Sequence, residues 1–214
     1  MSETLADRWH RVQQEIAQAC EKCGRDPEEV TTIVVTKFHP ASLVRELHAL
    51  GVRHVGENRH QDAAPKQLEV ADLDLTWHFV GQLQSNKARA VAAYCDVIHS
   101  VDRVSLVDAL AKYEGSVDVF LEVNLTSVPG RGGVEPVDLV ALAEKTLAAG
   151  NLRLRGVMAV APQDESPAQA FGRVLSYREE LLRVAPAATE LSLGMSGDFV
   201  EALERGATHL RIGT

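Results

Sequence analysis

The chain has 214 residues, 45% of them hydrophobic and 24% charged, and a formal net charge of −8. A chain of this size buries roughly 70% of its unfolded surface in one core, so residues 1–214 are expected to form a single domain that needs no disulfide or metal staple. The acidic balance with scattered Lys and Arg excludes a basic nucleic-acid surface, and no apolar stretch reaches the ~20 residues of a membrane span; with a polar start, Met1-Ser2-Glu3-Thr4, a cytoplasmic protein is expected.

Apolar residues recur at helical spacing from Leu5 to Cys23 (Leu5, Trp9, Val12, Ile16, Ala19, Cys20) and predict an opening amphipathic helix, stopped by Gly24-Arg25-Asp26-Pro27. A short beat then repeats. Strands are predicted at residues 31–37, 52–58, 75–81, 97–102, 117–124, 152–160, 191–195 and 209–213. The intervening helices run from Pro40 to about Leu50, then over 60–70, 85–94, 106–113, 136–149, 167–184 and 198–205. Eight strands, each after the first reached through a helix, predict a closed parallel (β/α)8 barrel of the TIM type with an extra N-terminal helix. The open doubly wound alternative lacks a G-x-G-x-x-G after the first strand. The breaker-rich stretch from Thr126 to Glu135 reads as a mobile loop over one barrel end. The strand bodies are Val, Ile, Leu and Phe, as a packed barrel interior requires.

In a parallel barrel all C-terminal strand ends share one face, where active sites are built. Lys37 closes the run Thr31-Thr32-Ile33-Val34-Val35-Thr36, which reads as a fully buried strand, a costly place for an ammonium group. Desolvation there turns a lysine into a nucleophile able to form a Schiff base with an aldehyde or ketone. At the other end of the chain, Met195-Ser196-Gly197-Asp198 and Arg211-Ile212-Gly213-Thr214 resemble a backbone cradle for a phosphate after the last two strands. A carbonyl-bearing phosphate ester between the two is the hypothesis. The alternatives are plain ones: Lys37 as a surface lysine on the rim, Ser196 as a helix N-cap, and Arg211 in a buried ion pair with an acid such as Glu122. Asn58, Asn124 and Asp102 divide evenly between ligand roles and turn or cap roles, and His78 reads as a strand residue with a satisfied imidazole. Cys20-Glu21-Lys22-Cys23 has no second pair at ligand spacing, so no metal site is expected.

Eight stretches taken in order resemble the pyridoxal 5′-phosphate homeostasis proteins, single-domain relatives of the alanine racemase N-terminal barrel. They are Gly24-Arg25-Asp26-Pro27, Val34-Val35-Thr36-Lys37, Gly56-Glu57-Asn58, Trp77-His78-Phe79-Val80-Gly81-Gln82-Leu83-Gln84-Ser85-Asn86-Lys87, Ile98-His99-Ser100-Val101-Asp102, Gly156-Val157-Met158, Leu191-Ser192-Leu193-Gly194-Met195-Ser196-Gly197-Asp198 and Arg211-Ile212-Gly213-Thr214. The resemblance implies pyridoxal 5′-phosphate as cofactor, carried by Lys37 as an aldimine. It implies that Ser196, Gly213 and Thr214, with Met195 beside them, hold the phosphate, that Asn58 lies beside the cofactor, and that Arg211 faces the pyridine nitrogen. A guanidinium there keeps that nitrogen unprotonated and the ring a poorer electron sink. The sequence departs from the family pattern in ending at Thr214 and in the form of the 126–135 loop.

Racemisation needs two acid/base groups on opposite faces of the substrate, and in the racemases one comes from a second domain or a partner subunit. Without such a domain after residue 214, the expectation is a monomeric carrier or buffer of the cofactor that hands it to apo-enzymes, without efficient turnover of amino acids. The rivals are a pyridoxal-phosphate-dependent amino-acid racemase and a Schiff-base aldolase acting through Lys37.

Overall fold

The structure, a computed structural model, describes residues 3–126, 128 and 130–213. Helix α1 (Leu5–Lys22) opens on a capping box in which the Thr4 hydroxyl accepts from the Asp7 N–H and the Asp7 carboxylate accepts from the Thr4 N–H. After it come β1 (Thr31–Val35), α2 (Ala41–Ala49), β2 (His54–Glu57), α3 (His60–Glu69), β3 (Thr76–Phe79), α4 (Ala88–Ala92), β4 (Val97–Val101) and α5 (Val104–Leu110). The second half holds β5 (Val117–Glu122), α6 (Leu139–Leu147), β6 (Leu152–Met158), α7 (Pro167–Val184), β7 (Glu190–Met195), α8 (Phe199–Glu204) and β8 (His209–Ile212). The helices predicted to start at Ser85 and Pro136 each begin with a tight 3-10 turn, Ser85–Lys87 and Pro136–Asp138.

The eight strands pair in chain order, all parallel, and β8 returns to β1 with Thr31 opposite His209 and Val34 opposite Ile212. The expected closed barrel is therefore present. Helix α1 takes the eighth helical place: it packs on α8, and Arg25 just beyond it donates to the Ala207 carbonyl at 2.7 Å.

Alternation along each strand sorts the residues between two faces. Val55, Trp77, Phe79, Ile98, Val119, Leu121, Val157, Leu191, Leu193 and Leu210 join the large core between strands and helices. Their neighbours face the lumen, where Val97, Phe120 and Met158 form a small apolar cluster beside buried His78, His99, Ser192 and Arg211. The lumen is thus more polar than the sequence reading expected. It is tolerable because these polar groups bond one another instead of being stranded.

Two further expectations change. Strand β1 is not fully buried: only Ile33 is, its neighbours being half-covered, and the strand ends at Val35. One more ladder bond follows, from the Thr36 N–H to the Gly56 carbonyl at 2.9 Å, so Lys37 stands just past the ladder instead of inside it. The stretch after β5, predicted to be mobile, folds back at its far end. Val134 pairs with Val123, its N–H donates to the Glu122 carbonyl at 2.7 Å, and Glu135 accepts from the Asn124 amide at 2.9 Å.

Candidate functional site

The C-terminal ends of β8, β1 and β2 are neighbours in the barrel wall. Lys37 has the parity of Ile33 and Val35, Asn58 that of His54 and Gly56, and Gly213 that of His209 and Arg211. All have the parity of the lumen-facing series, and Lys37, Asn58 and Gly213 come just past three adjacent strand ends at the C-terminal mouth.

Lys37 is half-buried and leads into a tight turn. The next residue, Phe38, has φ of +66°, uncommon for a bulky aromatic, and its ring lies 6.0 Å from Lys37 Nζ and 5.4 Å from the Arg59 guanidinium. A buried cluster that sequence reasoning missed holds this turn from behind. Lys66 of α3 forms an ion pair with Glu57 of β2 and donates to the Thr36 carbonyl at 2.8 Å; the Thr36 hydroxyl donates to Glu57 Oε1 at 2.7 Å. Lys66 is 6% exposed and Glu57 not at all. The signal was present: Ala63, Lys66 and Val70 lie three and four residues apart, which puts Lys66 on the buried face of α3.

On the other flank, Ser196 is not an N-cap; Asp198 holds that position before α8, without a side-chain bond into the helix. The Ser196 hydroxyl donates to the Gly213 carbonyl at 2.6 Å and accepts from the Gly213 N–H at 3.1 Å, tying the end of β7 to the end of β8. Met195 ends β7 with an exposed side chain, and its N–H donates to Asp198 Oδ1 at 2.6 Å. A Cβ on Gly213 would come within 3.3 Å of Val35 Cβ, so the missing side chain lets β8 close on β1 here. Thr214 lies outside the described residues.

Arg211 does not pair with Glu122. It is 5% exposed and donates from Nη1 to the Ser192 carbonyl and hydroxyl, both at 2.7 Å, and from Nη2 to the Ala159 carbonyl at 2.9 Å. Burial pulls its pKa down to about 10, opposed by the negative charges of Glu122 and Asp198, so it stays a cation at neutral pH. Glu122 lines a cavity of about 270 Å3 at the same mouth, and burial, with Asp102 adding and Arg211 opposing, raises its carboxyl to about 7. Asn124 proves a turn former, its Oδ1 accepting from the Thr126 N–H at 3.0 Å. Asp102 does not cap α5; it pairs with Arg103. His78 bonds His54 and His99, so its imidazole is satisfied as expected.

Several observations fit a phosphorylated aldehyde cofactor. Asn58 Oδ1 is buried with no hydrogen-bond partner among the described residues. The Ser196 and Gly197 N–H groups make none there either, and the space around Gly197 is open. Among the described residues no helix is long and apolar enough to cross a membrane, and no group of three His, Cys, Asp or Glu side chains is placed to hold a metal.

Comparison with known proteins identifies the family and the fold. The family profile described as alanine racemase, N-terminal domain, matches residues 9–214. The pyridoxal phosphate homeostasis protein of Pseudomonas aeruginosa is 43% identical over 218 residues, covering 99% of this chain and 94% of its own. That of Aquifex aeolicus is 38% identical, with 97% and 95% covered. PipY of Synechococcus elongatus, solved with PLP bound, superposes with a TM-score of 0.78 at 38% identity, covering 92% of this chain and 97% of that one. Alanine racemase of Corynebacterium glutamicum, at 13% identity and a TM-score of 0.69, shares the fold over 58% of its length. The chain belongs to the pyridoxal phosphate homeostasis protein family, which is built on the alanine racemase N-terminal domain.

Proposed function

We propose that this chain binds pyridoxal 5′-phosphate at the barrel mouth through Lys37 and holds it reversibly, as a monomeric cytoplasmic carrier or buffer that supplies apo-enzymes. What supports the reading is that Lys37, Asn58, Arg211 and Gly213 lie at three adjacent strand ends with the parity of their lumen-facing residues. The names of the relatives and the PLP-bound PipY structure support it.

When bound, the cofactor would supply an aldehyde, and Lys37 is the residue whose amine would meet it. The protein's own groups do the rest. Thr36, clamped by Glu57 and Lys66, fixes the turn that carries Lys37. The unused backbone N–H groups of Ser196 and Gly197 would hold the phosphate, with Gly213, whose N–H donates to the Ser196 hydroxyl, fixing the cradle, which makes the side chains less critical. Asn58, whose buried amide oxygen has no partner among the described residues, would meet the bound cofactor. Arg211, a fixed cation, would face the pyridine nitrogen when the cofactor is bound and discourage its protonation.

Loading the purified protein, reducing it with borohydride and mapping the adduct tests the assignment. The expected result is a yellow protein with the adduct on Lys37, and a Lys37→Ala variant that folds but lacks the visible band. A variant that kept the wild-type spectrum would refute the assignment. Release to an apo-enzyme, without deuterium uptake at Cα of added amino acids, distinguishes the carrier from a racemase. Trapping that required a ketose phosphate would instead mark an aldolase.

A further inference from the structure

A line of hydrogen-bonded side chains runs through the barrel lumen behind Arg211. His54 Nδ1 lies 3.0 Å from His78 Nε2, His78 Nδ1 2.8 Å from His99 Nε2, and His99 Nδ1 2.8 Å from Ser192 Oγ. Ser192 Oγ in turn lies 2.7 Å from Arg211 Nη1. The groups come from β2, β3, β4, β7 and β8. The far end of the line, His54, lines a polar cavity of about 590 Å3 together with Asp96, Asp118, Arg155 and His209. That cavity is set among the N-terminal strand ends, opposite the mouth.

The chemistry of the groups sets the direction of every bond. A guanidinium only donates, so Ser192 Oγ accepts from Arg211 and must place its own proton elsewhere. Among the described residues its other partner is His99 Nδ1, which therefore accepts. A neutral His99 then carries its proton on Nε2 and donates to His78 Nδ1; His78 donates from Nε2 to His54 Nδ1; and His54 keeps an Nε2–H to direct into the cavity. Burial favours the neutral form of all three rings, and for His78 and His99 it does so strongly. His99 is further locked by stacking on Phe120, with ring centroids 4.6 Å apart.

We infer that this line is a positioning device for Arg211: by taking up the Ser192 proton, the histidines present a serine lone pair to the guanidinium and hold it in one orientation. With three N–H groups committed to Ser192 and Ala159, Nε–H and one Nη2–H remain to meet a ligand. The aligned bonds polarise one another, so the effect of His54 and His78 reaches Arg211 through Ser192. The inference rests on the proposed binding of pyridoxal 5′-phosphate for its consequence, though not for its geometry.

Two measurements test it separately. Long-range 15N–1H spectra of the cofactor-free protein read the tautomers of His54, His78 and His99 directly. The expected result is neutral rings with Nε2–H throughout at pH 7.5, and loss of the single His99 tautomer in Ser192→Ala. Protonation of His99 at Nδ1 in the wild type would overturn the line. The second measurement is on protein loaded with pyridoxal 5′-phosphate. Ser192→Ala and His99→Gln should still give the borohydride adduct on Lys37, but bind roughly tenfold more weakly and with a displaced visible band, while Ser192→Thr restores both. Unchanged affinity and band position in Ser192→Ala would overturn the positioning role. Failure of the wild type to form the adduct would sink the cofactor reading instead, leaving the tautomer measurement to decide the line.

Discussion

Replacing Lys66 with methionine keeps the apolar stem and removes only the ammonium group, which makes it a sharp probe of the clamp behind Lys37. The structure sets the magnitude. Glu57 has no exposure, its Oε2 lacks a hydrogen-bond partner among the described residues, and after the change its Oε1 keeps only the Thr36 hydroxyl at 2.7 Å. The Thr36 carbonyl also loses its 2.8 Å bond from Nζ. An uncompensated buried carboxylate of this kind costs about 3–5 kcal/mol, a large part of the about 5–15 kcal/mol that holds a domain together. With a urea m value of about 2–3 kcal/mol/M, the midpoint falls by about 1–2.5 M. Urea titration followed by tryptophan fluorescence reads this, because Trp77 sits on β3 next to the β2 strand that carries Glu57. Glu57→Gln with Lys66→Met should cost less than the two single changes summed, by roughly 0.5–3 kcal/mol. A single Lys66→Met cost under about 1 kcal/mol, or strict additivity, would show that the pair is not the clamp described.

The raised carboxyl of Glu122 makes stability pH-dependent. A folded-state value of about 7 against an ordinary 4.5 means that the folded protein holds the proton more tightly, so this contribution is fully present below pH 4.5 and lost as pH rises to about 7. The difference of 2.5 units sets an upper limit of about 3 kcal/mol for the loss, less for the part of the side chain that meets solvent. Glu122→Gln should therefore match wild type near pH 4.5 and exceed it in thermal stability at pH 8; equal melting temperatures at both pH values would contradict the assignment. Gly81→Ala tests the packing behind Asn58, since a Cβ there would lie 2.2 Å from the Asn58 carbonyl oxygen. It should destabilise by about 1–3 kcal/mol and weaken cofactor binding, and a neutral effect on both would refute the role given to Asn58.

The architecture was legible because its causes are local. Strand and helix each leave a period in the chain, and eight alternations imply a parallel barrel whose C-terminal rim collects residues such as Lys37, Asn58 and Gly213. Strand ends were read up to two residues too long at β1, β5 and β6, since Thr36, Val123 and Ala159 still bond to neighbours as if in strands, although regular pairing has stopped.

What the linear pattern left open was the side on which each residue would fall and what it would meet there. Leu-Ser-Leu at 191–193 and Leu-Arg-Ile at 210–212 show the alternation, but only closure of the sheet makes one face a lumen. The bond from His99 to Ser192 spans 93 positions, and that from Lys66 to the Thr36 carbonyl spans 30. Such pairings depend on strand order and register, so polar residues that look stranded in an apolar run became partners only when the barrel brought β4 opposite β7 and α3 behind β1 and β2. Periodicity belongs to the chain; the satisfaction of a buried polar group belongs to the fold, because its partner is chosen by geometry across the barrel and not by distance along the sequence.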